Sequence, residues 1–120
     1  MATKEEHLDK AAHNEKLAEV LSQTAFLDWA VTVFFYSALH YAHVILAING
    51  QHPTSHETTG PLVRKNTALK KIRPEYESMR IASRNARYYA TEITAQHLAD
   101  VRTDFNTLRT YIRDQLGLKD

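Results

Sequence analysis

The chain has no cysteine, and it has only three glycines and three prolines among its 120 residues. Without cysteine it can form no disulfide, thiolate nucleophile or cysteine-ligated zinc site. A reducing compartment is compatible with this composition, and we expect a cytoplasmic protein. So few helix-breaking residues favour long helices and count against a turn-rich all-β fold. We therefore predict a single all-α domain over residues 1–120.

The chain also lacks an excess of either charge, since 15 Lys and Arg stand against 14 Asp and Glu. This balance gives no nucleic-acid signature for the chain as a whole, so any basic patch must be local. The charged N-terminal residues are not followed by a signal-type apolar segment. Segment 25–48 is long enough to cross a bilayer, but Asp28, His40 and His43 would be costly to bury there. We expect no membrane association.

Periodicity and capping residues divide the chain into helices. The predicted helices cover residues 4–22, 24–49 (capped by Thr24), 61–72, 74–91 and 95–116 (capped by Thr94). Residues 50–61 hold two of the three glycines and two of the three prolines, which predicts the only long loop. Short connections between neighbouring helices favour an up-and-down four-helix bundle with a short extra helix.

A row of polar side chains interrupts the most apolar segment. Tyr36, His40 and His43 stand at i, i+4 and i+7, within roughly 60° of one another on a helix. His52 and His56 follow in the predicted loop. Such histidines could bind zinc, nickel or iron. Because no carboxylate stands in a recognised ligand motif, we instead interpret them as hydrogen-bonded interior and loop-anchoring residues. We assign no metal and no cofactor, and a metal assay would decide between the two interpretations.

A second constellation lies on the fourth predicted helix. Arg80, Arg84 and Arg87 fall within roughly 60° of one another, and Tyr76 and Ser83 flank them. The predicted buried face of the same helix consists of Met79, Ala82, Ala86, Tyr89, Ala90 and Ile93. Guanidinium groups next to tyrosine rings are suited to binding a phosphate and a stacked base. The alternative is a solvated face on which Glu77 pairs with Arg80.

Signatures of catalysis are scarce in this sequence. It has no glycine-rich phosphate loop, no serine-elbow motif and no close pair of carboxylates. The aromatic residues of the second helix are interpreted as core or interface residues because aromatic side chains dominate such packing. They are Trp29, Phe34, Phe35 and Tyr41.

Several short runs, in this order, resemble those of the small HEPN-like proteins of bacteria and archaea. They are residues 13–18 (HNEKLA), 28–31 (DWAV), 35–40 (FYSALH), the loop 50–56 and 83–88 (SRNARY). The resemblance implies a helical bundle that often forms homodimers. It also implies a place in toxin–antitoxin or defence systems, frequently beside a nucleotidyltransferase-like partner protein.

Many active members of that family are metal-independent ribonucleases, whose motif is an arginine, often followed by Asn, with a histidine after four to six further residues. Arg84 and Asn85 fit the first half of this motif, but residues 89–91 include no histidine. The leading hypothesis is therefore a dimer that binds a nucleotide or RNA through Arg80, Arg84 and Arg87. The predicted pocket around them consists of Tyr36, His40, His43, His52, His56, Ser83 and Tyr88.

Two alternatives remain open at this stage. The first is a metal-independent ribonuclease in which a histidine of the second helix replaces the missing one, with His40 and Arg84 as the candidate catalytic pair. The second is a catalytically inactive interaction partner whose second helix forms the dimer interface.

Overall fold

The structure, a computed structural model, describes residues 2–90 and 92–118, apart from the side chain of His56. Within these ranges the chain forms helices and no β-strand, which confirms the predicted all-α class. The helices are α1 (Lys4–Ser22), α2 (Leu27–Ile48), α3 (His56–Lys65), a 3₁₀ helix (Thr67–Ile72), α4 (Arg73–Tyr88) and α5 (Ala95–Gln115).

Helix α2 is the core of the molecule, and it packs against α1, α4 and α5. It is long and apolar enough to cross a membrane, but 78% of its most apolar stretch is buried inside the protein. Phe34, Phe35 and Tyr41 lie in the core, as predicted, whereas Trp29 is 53% exposed. The apolar character of α2 is thus explained by burial within the chain itself.

Helix α1 occupies the predicted residues because both its cap and its packing face are encoded locally. Thr3 and Glu6 form a capping box, in which each side chain accepts a hydrogen bond from the backbone N–H of the other residue. Ala11 and Ala18 are fully buried, and the Ser37 hydroxyl of α2 donates a 2.7 Å hydrogen bond to the Ala11 carbonyl. Small side chains at these positions let the two helices approach closely.

Two predicted helix starts are wrong, and local hydrogen bonds explain both. Thr24 does not cap α2; its hydroxyl bridges the preceding turn, accepting from the Phe26 N–H and donating to the Leu21 carbonyl. The third helix begins at His56 rather than Pro61, because the Ser55 hydroxyl accepts from the Thr58 N–H in a second capping box. Pro61 therefore lies inside α3.

Other boundaries follow the expected chemistry more closely. Gly50 and Gly117 both adopt positive φ, +73° and +72°, and each follows the C-cap residue of its helix, α2 or α5. Thr94 caps α5 as predicted. The predicted third helix is in fact two elements, because the Asn66 side chain accepts from two N–H groups and begins the 3₁₀ helix at Thr67.

The buried face of α4 differs from the predicted one by roughly 60° of rotation. The fully buried residues are Tyr76, Met79 and Ser83, while Tyr89 lies beyond the helix end and is exposed. Tyr76 packs against Phe35 of α2 with ring centroids 5.6 Å apart, and this contact sets the rotation. The arginine row consequently borders the core instead of lying opposite to it.

Candidate functional site

Three histidines from two helices meet where α1 packs on α2. His7 lies on α1, and His40 and His43 lie one turn apart on α2. The Nδ1 atoms of His7 and His40 are 3.1 Å apart, at hydrogen-bonding distance. The ring of His7 is 4.7 Å from that of His43, centroid to centroid. One ring nitrogen from each histidine falls within 4.8 Å of the others. We call these three residues the histidine cluster.

The position of His7 on α1 is fixed by hydrogen bonds on its N-terminal side and by a helix contact on its C-terminal side. The capping box of Thr3 and Glu6 holds the first turn of α1, and the His7 N–H donates to the Thr3 carbonyl at 3.0 Å. One turn further along, the contact between Ala11 and Ser37 fixes the separation of α1 and α2. The histidine cluster therefore sits on regular, packed helices, which hold side chains more precisely than loops do.

His43 is almost fully buried, and its ring is oriented by a threonine of α3. Its Nε2 atom lies 3.0 Å from the Thr59 hydroxyl oxygen. The single proton of that hydroxyl is donated to the Ser55 carbonyl at 2.8 Å. The Thr59 oxygen must then accept a hydrogen bond from His43 Nε2–H. The neutral His43 ring consequently carries its proton on Nε2 and its lone pair on Nδ1.

A fourth histidine, His52, adds to the electrostatics of the cluster. Burial lowers the pKa of His7, and the positive charge of His52 lowers it further, whereas Glu6 opposes the shift. At neutral pH this environment favours the neutral imidazole at His7. His52 was predicted to anchor the loop, and the structure places it half-buried and close enough to influence His7.

The arginine surface, which we define as Arg80, Arg84 and Arg87 with Tyr88, lies on α4. Arg80 is paired with Glu77 at 2.9 Å, as the alternative interpretation predicted. Arg84 is exposed. Arg64 of α3 also lies 3.7 Å from Glu77, so this carboxylate is shared by two guanidinium groups. The positive charges available to an anion are therefore mainly those of Arg84 and Arg87.

Arg87 joins the arginine surface to the tyrosine of α2. One of its Nη atoms donates a 2.8 Å hydrogen bond to the Tyr36 hydroxyl, and Nε donates to the Ser83 carbonyl. Its guanidinium lies 5.5 Å from the centre of the Tyr36 ring and 5.1 Å from that of Tyr88. Tyr36 precedes His40 by about one turn on α2. The contact between Arg87 and Tyr36 is therefore about one helical turn from the histidine cluster along α2.

Some predicted pocket residues do not behave as expected. Ser83 is fully buried against the core and does not lie at the surface beside the arginines. The side chain of His56 lies outside the described part of the chain. A cleft of about 200 Å³ does adjoin α4, but its lining includes Ala82, Asn85 and His97. By helical phase this cleft is on the far side of α4 from the arginine row.

Sequence reasoning missed His7, although a usable signal was present. His7 precedes Ala11 by four residues and therefore lies on the same face of α1 as the buried alanines. Extending that face by one turn would have placed an imidazole against α2. The sequence does not show that this turn lies opposite His40 and His43, because that depends on the register between two helices.

A comparison with protein-family models found no match for this chain, and neither did a comparison with curated proteins.

Proposed function

We propose that this chain is a HEPN-like helical protein that binds an anionic ligand, a nucleotide or RNA, on the arginine surface of α4. Arg84 and Arg87 would hold phosphate oxygens, and Tyr88 would stack on a base. The observation that carries the proposal is the arrangement of Arg87, which donates a hydrogen bond to the Tyr36 hydroxyl and lies against two tyrosine rings.

The exposure of the surface supports a ligand-binding role. Tyr88 is 72% exposed although its ring lies against a guanidinium, so its other face is accessible to a base. No acidic residue occurs between Ser78 and Thr91, so the local charge of this stretch is positive despite the balanced chain. Arg80 contributes less than its neighbours because Glu77 offsets its charge.

The family resemblance extends the proposal to assembly and setting. We propose a cytoplasmic homodimer that takes part in a toxin–antitoxin or defence system, with a nucleotidyltransferase-like protein as its partner. Large apolar side chains near the turn between α1 and α2 support a protein contact, because Val20, Phe26 and Trp29 are all more than half exposed. Light scattering coupled to size-exclusion chromatography at micromolar concentration tests the dimer, and a monomeric mass would contradict it.

The binding proposal is tested by fluorescence anisotropy with labelled single-stranded RNA, and with ATP as a competing nucleotide. The double variant Arg84→Ala/Arg87→Ala should bind RNA at least about tenfold more weakly, because two charge-assisted phosphate contacts are lost. Its free energy of unfolding should fall by about 0.5–1.5 kcal/mol, because Arg87 loses its hydrogen bond to Tyr36, whereas the exposed Arg84 contributes little to stability. Competition by ATP would identify a nucleotide site, and its absence would identify the polynucleotide as the ligand.

The matched control is Lys70→Ala/Lys71→Ala, which removes the same charge from the exposed side of the 3₁₀ helix. If both double variants lose RNA affinity equally, or neither does, the arginine surface is not the binding site.

The same RNA incubated in EDTA tests the ribonuclease alternative. If the wild type cleaves this RNA and both the His40→Ala and Arg84→Ala variants do not, the function is catalysis and the binding proposal is wrong.

A further inference from the structure

We propose that the histidine cluster, His7, His40 and His43, is a binding site for a divalent transition-metal ion, with zinc as the expected occupant. This inference is independent of the proposed function, since it depends on other residues and another ligand. It also reverses the sequence-based interpretation, which considered His40 and His43 without His7 and assigned no metal.

The spacing of the three imidazoles fits a single metal ion. Zinc–nitrogen bonds are about 2.0–2.1 Å long, so two nitrogens of a tetrahedral site lie about 3.3 Å apart. The Nδ1 atoms of His7 and His40 are 3.1 Å apart, close to that value. One ring nitrogen from each of the three histidines lies within 4.8 Å of the other two, so changes in side-chain torsion would bring all three to ligating distance of one ion.

The hydrogen bond between His43 and Thr59 is what a metal-ligating histidine requires. A ligating imidazole usually donates its second ring N–H to an oxygen acceptor, which fixes the ring and the tautomer. The Thr59 hydroxyl serves as that acceptor, because its own proton is already donated to Ser55. The lone pair of His43 is thereby placed on Nδ1, the atom that would bind the metal.

The chemistry of the donor set selects the class of ion. Three neutral imidazoles suit zinc, copper, iron or nickel, whereas magnesium and calcium require oxygen ligands. His7 and His40 are only half-buried, which leaves a route from solvent to the site. Three protein ligands leave a fourth position for water or for a further side chain.

The test is zinc binding by tag-free protein that has been treated with a chelator and dialysed, measured by competition with a chromogenic zinc indicator. We expect one equivalent of zinc in the wild type. His7→Gln should weaken binding by more than about 100-fold, because even outer-sphere partners of a metal site contribute 10- to 100-fold. His13→Gln is the matched control, since His13 is an exposed histidine on the same helix.

Wild-type protein that binds less than a tenth of an equivalent at micromolar zinc would overturn the proposal. So would equal zinc affinity in the His7→Gln and wild-type proteins. If His7→Gln fails to fold, as judged by circular dichroism, the half-buried His40→Gln takes its place and must show the same loss. Thermal denaturation gives a second readout, because zinc that binds only the native state raises Tm. This increase must be present in wild type and His13→Gln and absent from the cluster variant.

Discussion

The histidine cluster and the arginine surface are built in opposite ways. The cluster joins His7 of α1 to His40 of α2, which is 33 positions later in the sequence. Its third imidazole, that of His43, is buried and is oriented by Thr59 of α3. The arginine surface belongs to one helix, is largely exposed, and owes its spacing to the α-helical repeat. The contact of Arg87 with Tyr36 ties that surface to α2.

This difference separates a site whose geometry is fixed by packing from one whose geometry is adjustable. The buried His43 is oriented by Thr59, and the half-buried His7 and His40 lie on packed helices, so the cluster should discriminate among ligands by size and coordination. Exposed arginines keep most of their rotamer freedom and can adapt to many phosphates. We therefore expect substitutions near the cluster to change stability most. Substitution of the exposed Arg84 should change binding alone, and substitution of Arg87 should also remove its hydrogen bond to Tyr36.

The largest effect is expected for Thr59→Val, which preserves the shape of the side chain but removes the acceptor of His43 Nε2–H. Leaving this buried donor without an acceptor should lower the free energy of unfolding by about 1–3 kcal/mol. The same change should weaken zinc binding about 10- to 100-fold. Urea denaturation and the indicator competition measure the two effects.

Thr103→Val is the control for this prediction, because Thr103 is exposed on α5 and its hydroxyl donates only to the Ala99 carbonyl. Its free energy of unfolding should stay within about 0.5 kcal/mol of wild type. A Thr59→Val protein as stable as the Thr103→Val protein would show that the buried hydrogen bond does not hold His43.

An intermediate effect is expected for Tyr36→Phe, which removes the link between α2 and the arginine surface. The ring contact with Arg87 remains, but the 2.8 Å hydrogen bond is lost. The free energy of unfolding should fall by about 0.5–1.5 kcal/mol. Tyr88→Phe should leave stability unchanged, because Tyr88 is 72% exposed. Equal stability of the two variants would mean that Tyr36 does not anchor Arg87 in solution.

The smallest effect is expected for Glu77→Gln, which removes the carboxylate that neutralises Arg80. A partly exposed ion pair such as Glu77–Arg80 contributes about 0.2–1 kcal/mol, so RNA affinity should rise only about two- to threefold and stability should change by less than about 1 kcal/mol. Glu5→Gln makes the same charge change at an exposed position of α1. An equal gain in affinity for both variants would point to net charge instead of the release of Arg80.

Much of the fold could be predicted from the sequence, because caps and periodicity are local. The start of α1 and the N-cap of α5 follow from Thr3, Glu6 and Thr94. The start of α3 was missed because Gly60 and Pro61 suggested a loop, although the capping hydroxyl of Ser55 outweighed them. The rotation of α4 depends on how Tyr76 packs against α2, which no pattern within α4 reveals.

The same distinction between local and tertiary determinants applies to the candidate sites. The pairing of Arg80 with Glu77 was predicted as the alternative to anion binding, because i, i+3 neighbours meet on any helix. The contact between Arg87 and Tyr36 and the approach of His7 to His40 were not predicted, because both depend on how separate helices pack. Residue type and helical phase indicate which residues could belong to a site, but the packing of the helices determines which of them come into contact.

The most direct test is diffraction from zinc-soaked crystals recorded above and below the zinc absorption edge. The anomalous difference map should contain one strong peak about 2.0–2.1 Å from ring nitrogens of His7, His40 and His43. A map with zinc bound only at exposed histidines such as His13, or with no peak between α1 and α2, would contradict the assignment.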